Sequence, residues 1–107
     1  MLTNRTYISH SDIHGYGVFA TEDIQPDEVI IEYPCVPIRT HRPIPPEIAT
    51  HLFGAEKDVV AVFGNAAYIN SSKTPCARHE IDSHENLIRI IATHHIAADC
   101  EITLNYM

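Results

Sequence analysis

Gly64-Asn65-Ala66-Ala67-Tyr68-Ile69-Asn70-Ser71-Ser72-Lys73-Thr74-Pro75-Cys76 opens as a short apolar run and breaks into polar side chains. It closes at a proline, which cannot continue a strand ladder or donate a backbone hydrogen bond. Asn70, Ser71 and Ser72 are turn formers whose side chains can bond their own backbone. A segment that begins among apolar residues and ends in these is expected to start inside the core and finish at a site.

Upstream of it, Val59-Val60-Ala61-Val62-Phe63 is a second apolar run, and periodicity alone leaves it as strand or buried helical turn. Glu47 to Phe53 is expected to form a short helix, with Pro46 near its first turn and Gly54 ending it. Pro34, Pro37, Pro43, Pro45 and Pro46 are expected to exclude a long regular element between the first strands and that helix. Further back, Val29-Ile30-Ile31-Glu32-Tyr33 is a β-branched strand, preceded by a turn at Gln25-Pro26-Asp27-Glu28. Arg5 to Ser9 alternates as a first strand, His10 to Gly17 is a bend, and Val18-Phe19-Ala20 resumes an extended course. Downstream, Asp82 to Asn86 reads as a turn before a strand at Leu87 to Thr93. Ala97 to Cys100 then connects to an alternating strand, Glu101 to Tyr106. No internal repeat stands out. Many short strands with frequent turns and one or two short helices predict a mainly β fold.

The chain has 107 residues, enough for one domain with a modest core. No apolar run approaches the roughly 18 residues of a membrane span. The N-terminus lacks a signal-peptide layout. Its three cysteines, Cys35, Cys76 and Cys100, are widely spaced and odd in number, which predicts neither a disulfide framework nor a zinc site. A reducing cytoplasmic setting is the simplest expectation. A net charge of -7 argues against direct nucleic-acid binding. It suits a basic peptide or protein partner, although on charge alone solubility is the simpler account. Eight histidines form no His-x-x-x-His pair, so no metal is expected.

Three blocks, taken together and in order, resemble the SET domain of protein-lysine methyltransferases. The first is His14-Gly15-Tyr16-Gly17-Val18-Phe19-Ala20, followed by Ile24 to Tyr33. The second is Tyr68-Ile69-Asn70-Ser71-Ser72-Lys73-Thr74-Pro75-Cys76, similar to Phe-Ile-Asn-His-Ser-x-x-Pro-Asn. The third is Cys100-Glu101-Ile102-Thr103-Leu104-Asn105-Tyr106, similar to Glu-Glu-Leu-Thr-x-Asp-Tyr. The short middle region, residues 39 to 58, resembles the minimal stand-alone SET proteins of viruses and bacteria. The resemblance implies a β-clip-like SET fold of small twisted sheets, with a C-terminal segment threaded beneath a loop as a pseudoknot. It implies a single SET domain over residues 1–107 with no post-SET region, placed in the cytoplasm, or in a host nucleus if viral.

The resemblance further implies methyl transfer from S-adenosylmethionine to a lysine ε-amine of a histone-like or other basic protein. Tyr106 takes the position of the catalytic tyrosine, its hydroxyl orienting the amine and contacting the polarised methyl. Gly15, Tyr16 and Gly17 take the backbone approach to the cofactor. Asn70 takes the cofactor's amino-acid end, and Ser71 the backbone contact to adenine. Tyr68 is expected to pack against these groups, and His79 falls near the position that tunes the number of methyls. Cys76 and Cys100 are expected to be ordinary buried small side chains. Ser71 stands where relatives have histidine, Cys76 where they have asparagine, and Asn105 where they have aspartate. Each change alters a hydrogen bond near the threaded segment, and a buried partner left unpaired costs about 1–3 kcal/mol. The chain ends one residue after Tyr106, so the resemblance implies that the C-terminal lid completing the lysine channel in many relatives is not supplied here. This and the three changes support a second reading, a SET-fold protein-binding module without catalysis. A homodimer would let a second chain cover the open lysine channel.

Overall fold

The β-branched run at Val29 begins the longest strand, and the rest of the larger sheet is laid on it. In this computed structural model, which describes residues 2–38, 52–55 and 58–105, the strands are β1 (Thr3–Asn4), β2 (Thr6–His10), β3 (Tyr16–Ala20), β4 (Val29–Ile38), β5 (Leu52–Ala55), β6 (Asp58–Val62), β7 (Asn70–Ser71), β8 (Ala77–Asp82), β9 (Leu87–Ala92) and β10 (Glu101–Leu104). A single-turn 3-10 helix, Gly64–Tyr68, connects β6 to β7. The larger sheet runs β5-β6-β4-β9-β8, with β1 also paired to β4. The smaller runs β2-β3-β10-β7. This is the mainly β, small-sheet architecture expected from the sequence.

β4 runs through two prolines that were expected to end it. The Cys35 N–H donates to Asn86 O at 2.9 Å, on the β9 side of the strand. Backbone groups alternate in direction along a strand, so Pro34 turns its nitrogen to the opposite side. There β1 has stopped, at Glu32, and β6 has not begun, its first partner being Cys35. Pro37 turns its nitrogen to the β9 side, where the β9 ladder has ended at Pro34. Neither proline removes a ladder bond. Pro43, Pro45 and Pro46 lie outside the described residues, as do residues 47–51 of the expected helix. Leu52 to Gly54, which the sequence reading gave to that helix and its end, belong instead to β5, paired antiparallel with β6. That pairing also settles Val59 to Val62 as strand.

An internal repeat is present after all. Ala20, Thr21, Ile24, Asp27 and Ile30 recur with the same spacing as Ala92, Thr93, Ile96, Asp99 and Ile102. The two copies meet face to face. Ile24 and Ile96 exchange both backbone hydrogen bonds at 2.8 Å. The Asp27 N–H donates to Ala92 O, and the Asp99 N–H to Ala20 O, each at 2.8 Å. Both aspartates have left-handed backbone, φ 69 and 67. The repeat is hard to see in the sequence because only turn and core positions keep their identity.

One apolar cluster joins the two sheets. Val18 and Ala20 of β3 and Ile102 and Leu104 of β10 meet Ile30, Ile88 and Ile90 of β4 and β9, all essentially without solvent exposure. Alternating apolar residues in each strand supply this single interface.

The β8–β9 turn is tied by Asp82, whose Oδ1 accepts the N–H groups of His84 and Glu85, each at 3.0 Å. Those N–H groups, Glu85 first, together with nearby Arg89 hold the Asp82 carboxyl below its ordinary range. A carboxylate with a lowered folded-state pKa stabilises fully above its unfolded value, near 3.9, and loses that contribution as pH falls through the folded value. Urea midpoints should therefore fall between about pH 6 and pH 3, and fall less steeply in Asp82→Asn, which keeps an accepting oxygen but does not titrate.

Candidate functional site

β2 and β3 form a hairpin in which His10 faces Tyr16, and Ser11 to Gly15 close its end. The Ser11 N–H donates to Gly15 O at 2.8 Å, while Ser11 Oγ accepts the N–H of Ile13 at 2.9 Å. The hydroxyl thus shapes the turn from inside, as serine often does. Gly15 has φ +48, and a Cβ there would meet nothing within 4 Å. Its face is open, and its backbone is in the region glycine adopts without strain.

Gly17 differs. A Cβ there would clash with the Glu101 carboxylate and lie 2.9 Å from the Ser11 Cβ. The sequence assigned both glycines to cofactor approach, but Gly17 is also required by the protein's own packing. Gly17→Ala is expected to destabilise by about 1–3 kcal/mol through overpacking, measurable as a lower thermal midpoint. Gly15→Ala meets no steric clash, so its cost reports the positive φ alone and separates backbone strain from overpacking.

β10 delivers the third block. It lies antiparallel to β3, Ile102 opposite Val18, and parallel to β7, Thr103 beside Asn70 and Leu104 beside Ser71. The Ser72 N–H donates to Leu104 O at 2.8 Å. This inserted strand brings all three sequence blocks to one point. Asn70 Nδ2 lies 3.1 Å from His14 O, 3.2 Å from Tyr16 O, 3.1 Å from Ser11 Oγ and 2.9 Å from Glu101 Oε2. Its two N–H bonds face four acceptor groups, so the cluster holds more acceptors than donors.

Of the expected site residues, Gly15, Tyr16, Gly17, Asn70 and Ser71 are brought to this neighbourhood. Tyr16 is largely exposed, its ring stacked on His10 at 4.9 Å. Ser71 is exposed on β7 and is placed by its backbone pairing. Tyr106 lies outside the described residues. Tyr68, expected to pack against the site, is 47% exposed on the 3-10 helix, which ends at it before the chain extends into β7. Glu101 and Ser11 were not among the expected site residues, although the match at Gly17 and Asn70 was a signal toward whatever strand lies between them.

The cysteines depart from expectation. Cys100 is exposed, because it lies in the turn that the Asp99 backbone bends before β10. Cys76 is half-buried and takes part in the threading. The Thr103 N–H donates to its sulfur at 3.4 Å, and its thiol donates to Glu101 O at 3.7 Å. Its own N–H donates to Thr103 Oγ1 at 3.4 Å. The residue in the asparagine position thus still ties the loop to β10, with weaker sulfur bonds. Next to it opens a cavity of about 790 Å³ walled by Pro75, Cys76, Ala77, His79, Leu104 and Asn105. His79 is on this wall, and the cavity reaches the residue preceding Tyr106.

A mainly β chain whose last described strand is threaded between a Gly-x-Gly hairpin and an Asn-Ser segment defines a SET architecture. The SET domain family matches residues 15–107, and the chain belongs to that family. The crystal structure of a Plasmodium falciparum protein provisionally designated a histone methyltransferase superposes with TM-score 0.85 at 28% identity, covering 98% of this chain and 95% of that one. An active polycomb repressive complex 2 in its stimulated state gives TM-score 0.75 at 30% identity. A humanized mutant of the Chaetomium thermophilum polycomb repressive complex 2 bound to an inhibitor gives 0.74 at 26%. Each of these two matches covers 97% of this chain and 15% of the other. A search of curated proteins returned no match.

Proposed function

We propose that this chain is a protein-lysine methyltransferase that uses S-adenosylmethionine, with a lysine-bearing histone tail or other basic protein as acceptor. The observation that carries this reading is the surplus of acceptors around Asn70. The amino end of an amino-acid cofactor brings three N–H donors. His14 O and Tyr16 O, which the two Asn70 N–H bonds cannot saturate along with Ser11 Oγ and Glu101 Oε2, are gathered where such a group would bind. Gly15 leaves the neighbouring backbone uncovered. These residues fit the cofactor, and Ser71 extends the same edge for its adenine end.

The cofactor supplies an electrophilic methyl group. The protein's own contribution is to position and dehydrate the acceptor. A lysine amine has an ordinary pKa near 10.4, and entry into an apolar passage disfavours its charged form. The cavity beside Asn105, walled by Pro75, Ala77 and Leu104, is the room assigned to that side chain. Tyr106 follows directly in sequence, and its hydroxyl orients the amine nitrogen. The net charge of -7 favours encounter with basic segments.

The test is calorimetric titration of S-adenosylmethionine into the chain and into Asn70→Ala, followed by labelled methyl transfer to histone and other lysine-rich peptides. Binding weakened in Asn70→Ala together with transfer supports the reading. Binding without transfer leaves the non-catalytic module, and absence of binding by folded protein overturns both cofactor and activity.

A further inference from the structure

We propose that Glu101 is a positioning residue: its carboxylate sets the orientation of Asn70 and the shape of the Ser11–Gly15 turn, and through them the cofactor pocket. The inference rests on the cofactor reading above but is stated at atoms the protein holds by itself. Glu101 Oε1 accepts the Ser11 hydroxyl at 2.7 Å, and Oε2 accepts Asn70 Nδ2 at 2.9 Å. The same Ser11 oxygen accepts the backbone N–H of Ile13. One carboxylate therefore fixes two segments that are far apart in sequence, and charge-assisted hydrogen bonds of this kind are the stronger ones.

The room for this carboxylate is made at Gly17, where any Cβ would collide with it. The internal repeat adds a comparison within the same molecule. Ile30 corresponds to Ile102, so the residue corresponding to Glu101 is Val29, which like Glu101 opens its strand and is half-buried. The same backbone unit accepts valine in one copy, so the strand itself does not call for a carboxylate. What differs is the company: Glu101 has Ser11 and Asn70 to hold.

The experiment compares wild type with Glu101→Gln and Glu101→Val, the latter borrowing the residue of the other copy. In cofactor-free protein, NMR would follow water exchange of the Asn70 side-chain amide and the chemical shifts of Ile13 and His14. Asn70 exchange is expected to rise about tenfold in Glu101→Val and less in Glu101→Gln, which keeps one accepting oxygen. Backbone amides of β4 and β9 should remain protected, which shows that the fold persists. S-adenosylmethionine affinity is expected to fall about tenfold in Glu101→Val. When that change is added to Asn70→Ala, the combined loss should be smaller than the sum of the two single losses, because Glu101 acts in part through Asn70.

Unchanged Asn70 exchange and turn shifts in Glu101→Val would overturn the proposal whatever the cofactor does. Additive affinity losses in the double variant would overturn it as well. Should the wild-type chain not bind S-adenosylmethionine, the functional reading falls, while the exchange measurement still decides what Glu101 holds.

Discussion

Ile102→Ala is expected to destabilise the protein by about 2–5 kcal/mol, seen as a large drop in urea midpoint with little change in slope. Ile102 has no solvent exposure and belongs to the apolar cluster that joins the two sheets. It is opposite Val18, also fully buried, on the strand inserted between β3 and β7. Truncation leaves a cavity where neighbours from both sheets are already close-packed and relax only in part. Against a typical domain stability of about 5–15 kcal/mol, this is a severe loss. Ile8→Ala is the comparison. Ile8 is 39% exposed on β2 and should change stability far less. Equal losses at the two positions would show that the core is not where the sheets place it.

The second large effect is chemical. Tyr106→Phe is expected to lower methyl transfer on the order of 10²-fold through misorientation of the amine, while S-adenosylmethionine binding stays near the wild-type value. Single-turnover transfer with preloaded cofactor measures the first, and calorimetry the second. The separation is the informative part, because Asn70→Ala should impair binding and transfer together. A Tyr106→Phe enzyme with full activity would remove the proposed role of the hydroxyl. Loss of binding in that variant would instead make Tyr106 part of the cofactor pocket.

Much of this architecture was legible from the chain alone. Val29 to Tyr33, Leu87 to Ala92 and the Gln25 to Glu28 turn carry β-branched runs and turn chemistry that local rules read correctly. The three SET-like blocks told which segments meet. They did not tell what joins them. Ser11 looks like a turn residue and Glu101 like a charge at a strand entrance, and only the threading of β10 reveals them as hydrogen-bond partners. β8 went unread because Arg78, His79 and Glu80 interrupt its apolar alternation, leaving Ala77 and Ile81 to mark its inner face. The prolines of β4 misled for a related reason. Whether a missing N–H matters depends on which neighbour stands beside it, and that is set by β1, β6 and β9, not by the local sequence.

The hydrogen bond between Ser11 and Glu101 spans 90 positions of the chain. On a ribosome, Gly15, Gly17 and Asn70 all emerge before the strand that locks them, and closing so long a loop is a slow, non-local event. The pocket is complete only when residues 101–104 lie between β3 and β7. A prematurely terminated chain that lacks β10 also lacks Ile102 and Leu104 of the core joining the two sheets, so it loses the site and part of the interface that holds the larger sheet together.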